Sequence, residues 1–173
     1  MAFAGMTRTV IADDTIAVIV AASTAAGARV YKSRTRKANT SELPMCTVEV
    51  HSASDEWQDW SGGVACSVYA MRTSQIVIDC LAEQTVAESD NGNDADNDLS
   101  DALSAFANAV VESLWGSLAW RSGTGRTTVA AALRPFHDIG PVGYEIQHSQ
   151  DGDRRIAGAR VTIPVQHQIQ FGA

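Results

Sequence analysis

The stretch "GYEIQHSQDGDRRIAGARVTIPVQHQIQF", residues 143 to 171, decides the fold. Two alternating runs flank Asp151-Gly152, and that dipeptide between such runs signals a two-stranded hairpin. In the second run Ala157, Ala159, Val161, Ile163, Val165, Ile169 and Phe171 share one face, interrupted by His167. Gly158, Arg160, Thr162, Gln166, Gln168 and Gln170 take the other. Period two with one apolar face is the mark of a half-buried strand. Pro164 lacks the N–H that a ladder needs, so it predicts an edge position or a bulge.

Working towards the N-terminus, Leu99, Leu103, Phe106, Val110, Leu114 and Leu118 recur at steps of three and four. That spacing predicts an amphipathic helix over roughly 97–118. Before it, "VACSVYAM" and "QIVIDCLAEQTV" read as separate strands. In the second, Ile76, Ile78, Cys80 and Ala82 oppose Val77, Asp79, Leu81 and Glu83. "MCTVEVHS" alternates as well, with Cys46, Val48 and Val50 on one side. "ASDEWQDWSGG" reads as a connection carrying Trp57 and Trp60. "RVYKS" is a short strand, and "RTRKANTSE" a polar, basic loop. Residues 8–22 place Val10, Ile11, Ala17, Val18 and Ala21 near one helical face, and Gly27 is the expected stop. "TVAAALRPF" fits strand or helix. The order predicts an α+β domain: a mostly antiparallel β-sheet packed by an N-terminal helix and one long amphipathic helix, a single domain over 1–173.

Composition narrows the function. The chain has 173 residues, 45% of them hydrophobic, with net charge -7. An acidic chain is a poor general nucleic-acid binder, because phosphate contacts need clustered Lys and Arg. Cys46, Cys66 and Cys80 are odd in number and lack CxxC spacing, so they read as reduced, small apolar side chains. The run Ile16–Ala22 is too short to span a bilayer, no signal peptide is evident, and a soluble protein made in the cytoplasm is expected.

The acidic segment 87–98 invites comparison with a calcium loop. With Asp90 first, Gly92 falls at the third position, Ala95 at the sixth and Asp101 at the twelfth. An EF-hand needs an oxygen ligand at three and glycine at six, so the pattern fails. The segment is expected to be a solvated loop, with Asp96 or Asp98 capping the following helix. Calorimetry with millimolar calcium should accordingly give no saturable heat.

Other chemistry is equally sparse. His51, His137, His148 and His167 have no metal-ligand spacing, although His148 and His167 could approach each other across the hairpin. "SGTGR" at 122–126 lacks the GxxxxGK[ST] pattern and reads as a turn. No residues are nominated as catalytic, cofactor-binding or metal-binding, and no cofactor or enzymatic activity is expected. Two features remain as contact candidates. Lys32, Arg34, Arg36 and Lys37 concentrate positive charge in an acidic chain, which fits either a solvated loop or docking between subunits. Trp57 and Trp60 sit among Asp55, Glu56 and Asp59, which fits either a contact surface or the core.

The stretch "IAVIVAASTAAGARVYKSRTRKANTSELPMCTVEV" adds a further pointer. A helix, then "AGARVY", a basic loop and "ELP" before an alternating strand resembles the tail-terminator proteins of long-tailed bacteriophages. A long strand, a polar loop, an amphipathic helix and the closing "RRIAGARVTIPV" strands continue that resemblance over nearly the whole chain. The acidic segment 87–98 and the Trp-rich 55–61 depart from it. The resemblance implies a mixed α/β domain that forms a hexameric ring. Such a ring caps the tail tube, ends its polymerisation and offers a surface to the head-completion or connector protein. It implies no cofactor and no membrane, a place in the virion neck after assembly in the host cytoplasm, and DNA passing through the lumen without specific binding. The alternatives are another phage neck or head-completion connector, or a small-molecule-binding cytoplasmic α+β domain.

Overall fold

The computed structural model describes residues 3–5, 8–33, 40–58, 68–85, 92–122, 136, 138–151 and 154–171. Its centre is three long antiparallel strands. β3 (Met45–Gln58) pairs with β4 (Val68–Thr85), and β4 pairs along its whole length with β7 (Arg154–Phe171). Short strands flank them. β2 (Val30–Lys32) lies parallel to β3, while β1 (Phe3–Gly5), β5 (Asp138–Ile139) and β6 (Gly143–Asp151) lie antiparallel to β7. The α+β expectation holds.

The closing hairpin forms, but Asp151, read as a turn residue, is the last residue of β6 and pairs with Arg154. The inward face of β7 is as read, because Ala157, Ala159, Val161, Ile163 and Val165 are all buried. Pro164 is a correction: β7 is a central strand, and Pro164 faces Gln75 of β4. It is tolerated because its other side is a gap between partners. β6 leaves β7 at Thr162, and β5 joins at Val165. In an antiparallel strand a residue's nitrogen and carbonyl point the same way. The Pro164 carbonyl accepts from the Gly140 N–H at 2.8 Å, so its nitrogen also faces the gap and no ladder bond to β4 is lost. Gly140 itself passes so close that a Cβ there would lie 2.7 Å from Cγ of Pro164.

The predicted strands 64–71 and 75–86 are one strand from Val68 onward. The predicted connection 53–63 is strand as far as Gln58, which places Trp57 on β3 opposite Ala70. The pairing skips a residue between Ser52 and Ser54, a bulge that keeps the polar end of β3 on the ladder.

Two helices cover one sheet face. α1 (Arg8–Ala21) buries Ile11, Ala12, Thr15 and Ile19, a true i, i+4, i+8 stripe. Ala17 and Ala21, expected inside, are exposed. The buried stripe is turned because Thr15, although polar, sits inside, with its hydroxyl donating to the Ile11 carbonyl at 2.7 Å. The helix stops before Gly27, at Ser23, which takes the left-handed conformation (φ 52°).

α2 (Gly92–Gly116) buries Leu99, Leu103, Phe106, Ala107, Val110 and Leu114 against Ile76, Ile78 and the inward face of β7. It begins five residues before the expected start, so Asp96 and Asp98 lie inside the helix rather than capping it, and part of the predicted loop 87–98 is helical. Acids near the positive helix end favour that extension. The stripe also ends early, because Leu118 is 65% exposed. Gly116 closes α2, and Ser117 starts α3 (Leu118–Ser122) by accepting the Trp120 N–H on its hydroxyl at 3.2 Å. The turn shifts the phase, and Trp120 enters the core instead.

Phe106 is 5% exposed in the middle of the α2 stripe. Phe106→Ala should lower stability by about 3–5 kcal/mol in a denaturant melt. An unchanged midpoint would mean the helix presents another face.

Candidate assembly surface

Of the nominated contact residues, the structure places Lys32 on β2 and the backbone of Trp57 on β3. Lys32 ends β2, and its Nζ lies 3.0 Å from Oδ1 of Asp13 on α1, so part of the basic charge already serves an internal joint. Arg34, Arg36, Lys37 and Trp60 lie outside the described residues. Trp57 is on β3, and only its backbone register is described.

Beside this segment, Arg29 acts as a local staple. Its guanidinium donates to the carbonyls of Ala26 (3.1 Å), Leu43 (3.2 Å) and Ala25 (3.3 Å). It therefore ties the turn after α1 to the cis Leu43–Pro44 lead into β3.

The sheet face turned away from the helices carries the clearest charge arrangement, which the sequence did not single out. Thr47, Asp79, Arg160 and Glu145 stand in one row across β3, β4, β7 and β6. Arg160 meets both Asp79 oxygens, at 2.7 and 3.1 Å. The hydrogen bond to Asp79, then its charge, raise the Arg160 pKa above its ordinary value, with smaller help from Glu145 and Glu49. The Arg160 side chain is half exposed, so water screens the pair. Asp79→Asn should cost only about 0.2–1 kcal/mol in a melt, despite the two-pronged geometry. A loss of several kcal/mol would show that this face is covered.

The histidines lie apart. His148, opposite Ala157, meets Ser100 of α2 at 3.2 Å through Nε2. His167, opposite Arg72, is buried, with its Nε2 3.0 Å from the Ser74 hydroxyl. His148 and His167 do not approach each other and stand as separate strand histidines, because the hairpin register sets them ten positions apart along β7. Among the described residues, no group of three or more His, Cys, Asp or Glu is placed to hold a metal ion, and no helix is long and apolar enough to cross a membrane.

No family model matches the chain, and no curated protein matches it. Among solved structures, a chain from the virion of a native gene transfer agent particle is similar at 15% identity and a TM-score of 0.31. The match covers 87% of this chain and 85% of that one.

Proposed function

We propose that this chain is a structural component of a bacteriophage virion, a tail terminator that closes the tail tube as a hexameric ring. In this reading it ends tube polymerisation and presents a joining surface to the head-completion or connector protein. The observation that carries the reading is the element order: α1, β2, the basic segment, the Glu42-Leu43-Pro44 lead into β3, the long β3–β4 pair, α2, and the β6–β7 closing hairpin. That is the order on which the family resemblance rests.

The sheet also suits a head-to-tail ring. Such a ring needs two different patches on each subunit. Among the described residues, β2 lies at one side of the sheet and β6 at the other. The function is assembly, without catalysis or cofactor. A net charge of -7 favours a ring through which DNA slides without being held.

Electron microscopy of the purified protein, alone and with tail tubes, tests the proposal. Six-fold rings seated on tube ends, and tubes that no longer elongate, are expected. Tubes that elongate freely in its presence, with no ring at their ends, would sink it.

A further inference from the structure

One pair of reactive groups in the core is unused by the assembly role. Cys46 on β3 and Cys80 on β4 stand directly opposite each other, fully buried, as free thiols. Their sulfurs are 3.6 Å apart. The Cys46 N–H donates to the Arg29 carbonyl at 3.0 Å, on the β2 side. The polar backbone groups of Cys46 therefore point away from β4. This makes Cys46 and Cys80 a non-hydrogen-bonded pair of the antiparallel ladder, the kind whose Cα atoms approach to about 4.5 Å. Disulfides span Cα separations of about 4.4–6.8 Å. The sulfurs need only close to about 2.05 Å through side-chain torsions, between strands whose register is already set.

We propose that Cys46 and Cys80 form a modification site, a reversible cross-strand disulfide made by peroxide that locks β3 to β4. The chemistry balances in two steps. One thiol, as its thiolate, attacks an oxygen of hydrogen peroxide, giving a sulfenic acid and water. The second thiol then attacks the sulfenic sulfur, forms the S–S bond and expels the oxygen as a second water. Two thiols are oxidised and one peroxide is reduced. A dithiol reductant reverses the bond by exchange.

The setting also controls the rate. The hydrogen bond with Cys80, and then burial, push the Cys46 thiol pKa up. The folded pair is thus slow to react and responds to sustained oxidant during brief openings of β3. Once formed, the bond closes a loop over the β3–β4 pair and restricts the unfolded chain.

The test uses the full-length protein and does not depend on its assembly role. The Cys66→Ser variant removes the third thiol. After hours in millimolar hydrogen peroxide, both remaining thiols should disappear together, with a mass loss of two hydrogens. A non-reducing peptide map should join Cys46 to Cys80. The melting temperature should rise by on the order of 5–10 °C and return with dithiothreitol. The same cross-link should appear in peptide maps of the parent chain, in case Cys66→Ser disturbs folding. In Cys80→Ala, Cys46 should give a trappable sulfenic acid and no rise in melting temperature. Thiols that survive, added oxygens in place of the cross-link, a bond between chains, or an unshifted melt would each overturn the proposal.

Discussion

Trp120→Ala is expected to remove about 3–5 kcal/mol of folding stability. The indole is 1% exposed and is among the largest fully buried side chains described. It lies 5.2 Å from the Phe136 ring in an edge-on contact and 6.1 Å from Trp115. Its Nε1 donates to the Thr15 hydroxyl at 3.0 Å, and that hydroxyl donates onward to the Ile11 carbonyl at 2.7 Å. The chain of bonds joins α3 to α1 through the interior. Truncation thus opens a cavity and also removes the donor that holds Thr15.

The two effects separate by substitution. Thr15→Val keeps the volume but removes the acceptor, at a cost of about 1–3 kcal/mol. In a Trp120→Phe background the same Thr15→Val change should cost clearly less, since the donor is already gone. Urea melts of the four proteins give the coupling. Strict additivity would show that the indole–hydroxyl bond contributes nothing and that only packing matters.

Trp120 also marks where sequence reading reaches its limit. The α2 stripe was legible because apolar residues repeat at the helix period over four turns. The period alone extended the helix to Leu118. The break is caused by Gly116 and by the Ser117 side chain accepting the Trp120 N–H, an interaction of two residues that no periodicity displays. β7 was legible for the converse reason: strict alternation left one register for its buried face. The polar end of β3 was not, because "SASDEWQ" has no apolar alternation. Its extended form comes from pairing with β4 across the bulge at Ser52, a tertiary cause. The same holds for the charged row on the open sheet face. Asp79 and Arg160 are 81 residues apart, and only the β4–β7 register brings them together. Of the nominated contact residues, Lys32 shares its charge with Asp13 of α1, a pairing across 19 residues that neither a solvated loop nor a docking patch displays in the sequence.

That sharing shapes the second large expected effect. Lys32 cannot be reversed without disturbing the α1–β2 joint, so assembly is better probed at Arg34 and Arg36. Each Arg→Glu change removes one positive charge and adds one negative, so the double variant takes the net charge from -7 to -11. If neighbouring subunits dock this basic segment against an acidic patch, the variant replaces attraction with repulsion at every interface of the ring. Each subunit of a closed ring uses the contact once, so the penalty recurs around it. Ring formation and tube capping should fall at least about tenfold, mainly through slower association. The loss should be greatest near 0.01 M salt, where charges act over about 30 Å, and should shrink towards 1 M, where they act over about 3 Å. Sedimentation and a tube-capping assay across that salt range provide the readout, with a thermal melt of the same samples to confirm that the fold is intact. A folded double variant that assembles and caps tubes like the parent at low salt would remove charge docking through Arg34 and Arg36 from the mechanism.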